Sequence, residues 1–113
     1  MSEAEPRMKV PASAKSAARN ALKARASASP SQKFGTSVGI ARAHQLIEAE
    51  SISLTDARNI YAFLSRHEAN YKKARNKEEL QKVEGAVGLW GNMGWKSQLE
   101  SFLEANKSWR KNK

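Results

Sequence analysis

The chain is 113 residues long, carries a formal net charge of +9 and contains no cysteine, which excludes a disulfide framework and a thiolate zinc site. Its apolar runs are only a few residues long, far short of the roughly 20 that span a bilayer, and the opening MSEAEPRMK lacks the apolar region of a signal peptide. The expected setting is therefore neither membrane nor secreted, and the material suffices for one domain of about 70 residues.

Residues 1–36 hold all three prolines (Pro6, Pro11, Pro30) and seven cations (Arg7, Lys9, Lys15, Arg19, Lys23, Arg25, Lys33) against Glu3 and Glu5. With Val10, Leu22 and Phe34 as almost the whole of its large apolar content, this stretch is expected to be a flexible basic arm, disordered when free, because it buries too little surface to offset its ordering entropy. Within it SAKSAARNALKARASA favours helix by composition. Lys15, Arg19 and Lys23 recur every four residues and stack like charges on one face, so a nascent helix is expected, completed when an anion neutralises the stripe.

A helical domain is expected over 37–106. In TSVGIARAHQLIEAE, Ile40, Ala43, Leu46 and Ile47 share one helical face, with Thr36 or Ser37 placed as N-cap. Ser53 followed by Asp56 has the form of a capping box and opens a long helix over 54–72, on which Leu54, Ala57, Ile60, Tyr61, Leu64 and Tyr71 make one stripe. The charged run YKKARNKEE marks a connection. Leu80, Val83, Val87 and Trp90 then step as a third helix, which stops at the turn Gly91, Asn92, Met93, Gly94, and Trp95, Leu99, Phe102 and Leu103 form a fourth. No stretch alternates with a period of two. The expected fold is all-α, a small orthogonal or bundle-like four-helix domain with a disordered basic N-terminal arm and a short basic tail over 107–113. Trp90 and Trp95 are expected to clamp consecutive helices, and Gly85 and Gly88, costly inside a helix, to mark a close helix approach.

Chemistry-bearing motifs are few. Ser65, Arg66, His67 and Glu68 form the one local cluster, but adjacent residues point about 100° apart on a helix and no second histidine follows four residues on, so no metal or other cofactor is expected. No serine elbow, reactive cysteine or phosphate-binding loop is present, and the chain is expected not to be an enzyme. The pair 38–49 and 54–72 has the spacing of a helix-turn-helix corner, yet the outward positions of its second helix lack a base-reading cluster.

Three blocks, GTSVGIARAHQL, FLSRHE and LWGNMGW, resemble a small helical domain of bacteriophage proteins with the pattern GxxVGxARAxQL, FxxRHE and a Trp-Gly turn followed by a second Trp. The resemblance spans about 35–95 and implies an all-α fold and a phage origin, with residence in the host cytoplasm or the virion; it implies no activity. Asn92 stands where that pattern has a second glycine. Gly39, Arg42, Arg66, His67 and Glu68 match the pattern and are the candidates for a shared interaction surface.

The two basic ends point to a polyanion, since each neutralised phosphate releases counterions. The expected partner is nucleic acid, DNA or RNA, bound with low sequence specificity. Lys15, Arg19, Lys23, Arg25, Lys107, Arg110 and Lys111 are the candidate phosphate contacts, and Trp109, among cations, is either a base stacker or the last apolar anchor of the final helix. The alternative is a virion or host-takeover module docking on an acidic protein surface.

Overall fold

A computed structural model describes residues 4–27 and 36–109. In chain order these form β1 (Arg7–Lys9), α1 (Ala12–Ser27), α2 (Ser37–Glu48), β2 (Ser51–Ser53), α3 (Leu54–Lys73), α4 (Lys77–Leu89), a 3-10 turn (Met93–Trp95) and α5 (Lys96–Ala105). The all-α expectation holds, since the two strands are three residues each and pair only with one another.

Local signals set the helix starts. The Thr36 hydroxyl accepts from Gly39 N at 3.2 Å, the Ser53 hydroxyl from Asp56 N at 3.1 Å and the Asn76 side chain from Glu79 N at 2.9 Å, each satisfying an orphan amide of a first turn. The charged run after Tyr71 is more ordered than its polarity suggests. α3 continues through Lys72 and Lys73, whose charges suit the negative end of the helix dipole, and α4 opens with Glu78 and Glu79 at its positive end.

The main departure from expectation is the N-terminal segment. Residues 4–27 are not a flexible arm but part of the body: Val10, Ala14, Ala18 and Ala21 lie in the same apolar core as Leu46, Ile60, Leu64, Val87, Trp95 and Leu99. Ala14, Ala18 and Ala21 recur at intervals of four and three, so they form one stripe, which docks α1 against α2 and α4. The approach is close at Gly88, where a Cβ would stand 3.0 Å from Ala21 Cβ and 3.7 Å from the Ala17 carbonyl. Gly88 thus makes the close contact expected of it, while Gly85 lines an open groove beside it. A helix face made of alanines enters the core because methyl groups facing glycine let backbones approach, and most of the buried area comes from the larger partners. The helix is held by this packing.

Charge and backbone pairing fix the segment at three further points. Met8 pairs with Ile52 in the antiparallel ribbon, flanked by Val10 N to Glu50 O at 3.0 Å and Leu54 N to Pro6 O at 2.9 Å. The Glu5 carboxylate accepts from Thr55 N at 2.6 Å, at the positive end of α3. The Lys15 ammonium donates to the carbonyls of Leu46 (3.0 Å), Ile47 (3.1 Å) and Ala49, at the negative end of α2. An acid at a helix start and a base at a helix end both complement the backbone dipole.

The tryptophan clamp is present. Trp95 is 1 % exposed and its indole N–H donates to the Trp90 carbonyl at 3.2 Å. Gly91 has φ +91° and Asn92 φ 73° with ψ 167°, so the turn needs two residues at positive φ; Gly91 meets this without a Cβ penalty, whereas Asn92 sits in a region that glycine alone adopts without strain. Its side-chain oxygen accepts from Met93 N at 2.8 Å, and Asn92 thus stands strained where the pattern has glycine.

Replacing Lys15 by Met keeps most of the buried stem and removes the three charge-assisted contacts. The variant is expected to lose about 1–3 kcal/mol of stability, read from urea unfolding at neutral pH. A loss within a few tenths of a kcal/mol would show that the ammonium does not hold α2.

Candidate nucleic-acid interface

The orientation of α1 follows from its alanine stripe. With Ala14, Ala18 and Ala21 inward and successive residues turned by 100°, Ala12, Ser16, Arg19 and Lys23 fall on the opposite side and are exposed, and Ser13 and Asn20 are exposed beside them. Arg19 and Lys23 are one turn apart, about 6 Å along the axis. The sixteen residues of α1 include Lys15, Arg19, Lys23 and Arg25 and no carboxylate. Side-chain ion pairs among the described residues include Arg42–Asp56, Arg75–Glu79, Lys96–Glu68 and Lys107–Glu104, and Arg19 and Lys23 take part in none of these. Arg25 is half-buried and makes contacts of its own.

The two flanks of this ridge differ. Toward α4 lies a groove of about 560 Å³ lined by Ala17, Asn20, Ala24 and Gly85, with Glu78, Lys82 and Glu84 as its charged residues. Toward β2 lies a hollow of about 500 Å³ lined by Arg7, Lys9, Lys15 and Glu50. Arg7 donates to the Ser51 hydroxyl and carbonyl, both at 2.8 Å, while Lys9 is exposed. One flank is thus net acidic and the other net basic.

Of the candidate phosphate contacts, Arg19 and Lys23 are brought together as a fixed ridge, and Lys15 is turned inward to cap α2. Lys107 pairs with Glu104 at 2.9 Å. Trp109 is half-buried just past α5, its amide donating to the Asn106 carbonyl at 3.1 Å. Arg110 and Lys111 lie outside the described residues. Ser16 and Asn20 belong to the same exposed patch and were not singled out from the sequence. The angle from the alanine stripe would have found them, once that stripe is taken as the buried side.

The residues of the phage-like pattern divide between interior and surface. The Phe63 ring stacks on His67 at 3.8 Å and on Trp90 at 4.1 Å between centroids, and the Arg42 guanidinium lies 5.0 Å from the Trp90 centroid. The Phe63 carbonyl can only accept, so His67 Nδ1, 3.0 Å away, carries the proton and donates. A Cβ on Gly39 would stand 3.3 Å from the Trp90 indole nitrogen. Gly39, Arg42 and His67 therefore pack around one aromatic column joining α2, α3 and the end of α4. Arg66 is exposed, and Glu68 pairs with Lys96 at 3.4 Å. The five do not make one open surface.

Arg42 is also the centre of a polar link between α2 and α3. It stands 3.2 Å from Asp56 Oδ1, and Gln45 donates to Asp56 Oδ2 at 2.8 Å. Burial pushes the Asp56 carboxyl up, but the hydrogen bonds from Gln45 and Arg42, the Arg42 charge and the Ser53 hydroxyl together outweigh it and hold the group below its ordinary value. Among the described residues no three His, Asp or Glu side chains converge to hold a metal ion, and no helix is long and apolar enough to cross a membrane. No protein-family model matches the chain, nor does any curated protein or solved structure.

A carboxyl whose folded value is depressed stabilises the fold above its ordinary value of 3.8 and loses that contribution as pH falls through the folded value. The Asp56→Asn variant is therefore expected to be less stable than the parent at pH 7, on the order of 1 kcal/mol for a half-exposed pair. The deficit should shrink as pH falls below 3.8. Urea midpoints measured across that range check it, and a deficit independent of pH would refute the ionic role.

Proposed function

We propose that this chain is a non-enzymatic, phage-encoded helical module that binds nucleic acid chiefly through phosphates, using the outward ridge of α1. The observation that carries this reading is a sixteen-residue helix with four cations and no carboxylate, docked by its alanine face so that Arg19 and Lys23 point away from the body. Fixed cations lose less conformational freedom on binding than cations on a mobile tether. The basic tail of residues 107–113 adds charge that electrostatic steering can use at longer range. The phage setting rests on the sequence resemblance alone; of that pattern, Gly39, Arg42, Phe63, His67 and Trp90 serve the fold rather than the interface.

Since α1 contributes to the core, deleting it would unfold the body, and the reading is tested by surface substitutions. Titrating labelled duplex and single-stranded nucleic acids by fluorescence anisotropy, between about 50 and 200 mM salt, gives both affinity and its salt dependence. The double variant Arg19→Gln, Lys23→Gln is expected to keep its helical circular-dichroism spectrum, bind more weakly at low salt and show a log–log salt slope shallower by about 1 to 2. The reading fails if the parent binds no nucleic acid at about 50 mM salt, or if the double variant binds as the parent does. A protein partner captured through Arg19 and Lys23 after nuclease digestion, with no nucleic-acid binding, would replace it with docking on an acidic protein surface.

A further inference from the structure

We infer that the nucleic acid is duplex DNA and that α1 lies in its major groove, with Arg19 and Asn20 facing base edges and Lys23 a phosphate; this rests on the proposed nucleic-acid binding and specifies its form. The exposed arc of α1 holds Ala12, Ser13, Ser16, Arg19, Asn20 and Lys23. Ser16 neighbours Arg19 and Asn20, and each of these neighbours Lys23, at spacings of three and four, which makes a contiguous patch over two turns. Its long side chains are the types that pair with purine edges in that groove: arginine with guanine O6 and N7, asparagine with adenine N6 and N7. Between them stand only methyl and hydroxymethyl groups, so the backbone can approach the bases closely.

Shape agrees with this assignment. An α-helix is about 10–12 Å across, and the major groove of B-form DNA is about 12 Å wide and 8.5 Å deep. A-form RNA offers a deep, narrow major groove that side chains do not read. Single strands are held largely by stacking on aromatic rings, and α1 carries no aromatic residue. Charge is distributed for an asymmetric seat, with Glu78 and Glu84 lining the α4 flank and Arg7 and Lys9 the opposite flank. The duplex backbone is favoured on the latter.

The test compares the full-length chain on one purine-rich sequence prepared as duplex DNA, duplex RNA, single-stranded DNA and a DNA duplex with 7-deazaguanine, which lacks the N7 acceptor but keeps every phosphate. Duplex DNA is expected to bind at least tenfold more tightly than duplex RNA or single strands, and the 7-deaza duplex several-fold more weakly than its parent. Arg19→Lys, which keeps the charge and loses the guanidinium fork, should weaken binding with an unchanged salt slope and abolish sensitivity to 7-deazaguanine, whereas Lys23→Gln should lower the slope by about 1. Equal affinity for duplex RNA or single strands, or indifference to N7, overturns the major-groove assignment. In that case phosphate binding still stands if the Arg19, Lys23 double variant lowers the salt slope. Absence of all binding overturns both.

Discussion

The rest of the molecule depends on the close packing of the alanine face of α1 against α2 and α4. Ala21 meets Gly88 closely, and there the helix backbones come near enough for small side chains to exclude water as large ones do elsewhere. That contact fixes the rotation of α1 about its axis. It carries Lys15 to the end of α2 and leaves Arg19 and Lys23 outward, so the division of cations between structural and available groups follows from one packing decision.

The N-terminal segment also closes the ends of other helices. Glu5 reaches the first turn of α3 and Lys15 the last carbonyls of α2, two charges of opposite sign placed at helix ends of opposite polarity. The short ribbon between Met8 and Ile52 holds these two contacts in register. A domain of this size has a limited core, and satisfying helix termini with side chains from a distant part of the sequence is a way of adding stability without adding apolar surface.

The phage-like pattern gains a physical meaning from the aromatic column. The Phe63 ring is sandwiched between His67 and Trp90, with Arg42 against the indole and Gly39 leaving room for it. Residues far apart in the chain and of mixed polarity are coupled because each occupies a side of the same stack. The Arg42–Asp56–Gln45 link then ties the column to the start of α3, so that polar groups which look available in one dimension are largely occupied in three.

By itself the sequence determined the helical class, the cap at Ser53 and one at Thr36 or Ser37, the stripe of the long helix and the turn between the two tryptophans, because these rest on interactions between residues within a turn or two of each other. It also disclosed which side chains carry positive charge. Only the tertiary structure decided that α1 belongs to the core and which of its cations remain outward. An alanine stripe has no hydrophobic bulk to announce a buried side, and its burial depends on a glycine some seventy residues away. The same limit hid Asn20 and Ser16, whose exposure is defined by that distant contact, and gave Arg42 and His67 the look of surface groups. Local physics shaped the elements, and long-range packing chose which face of each meets water.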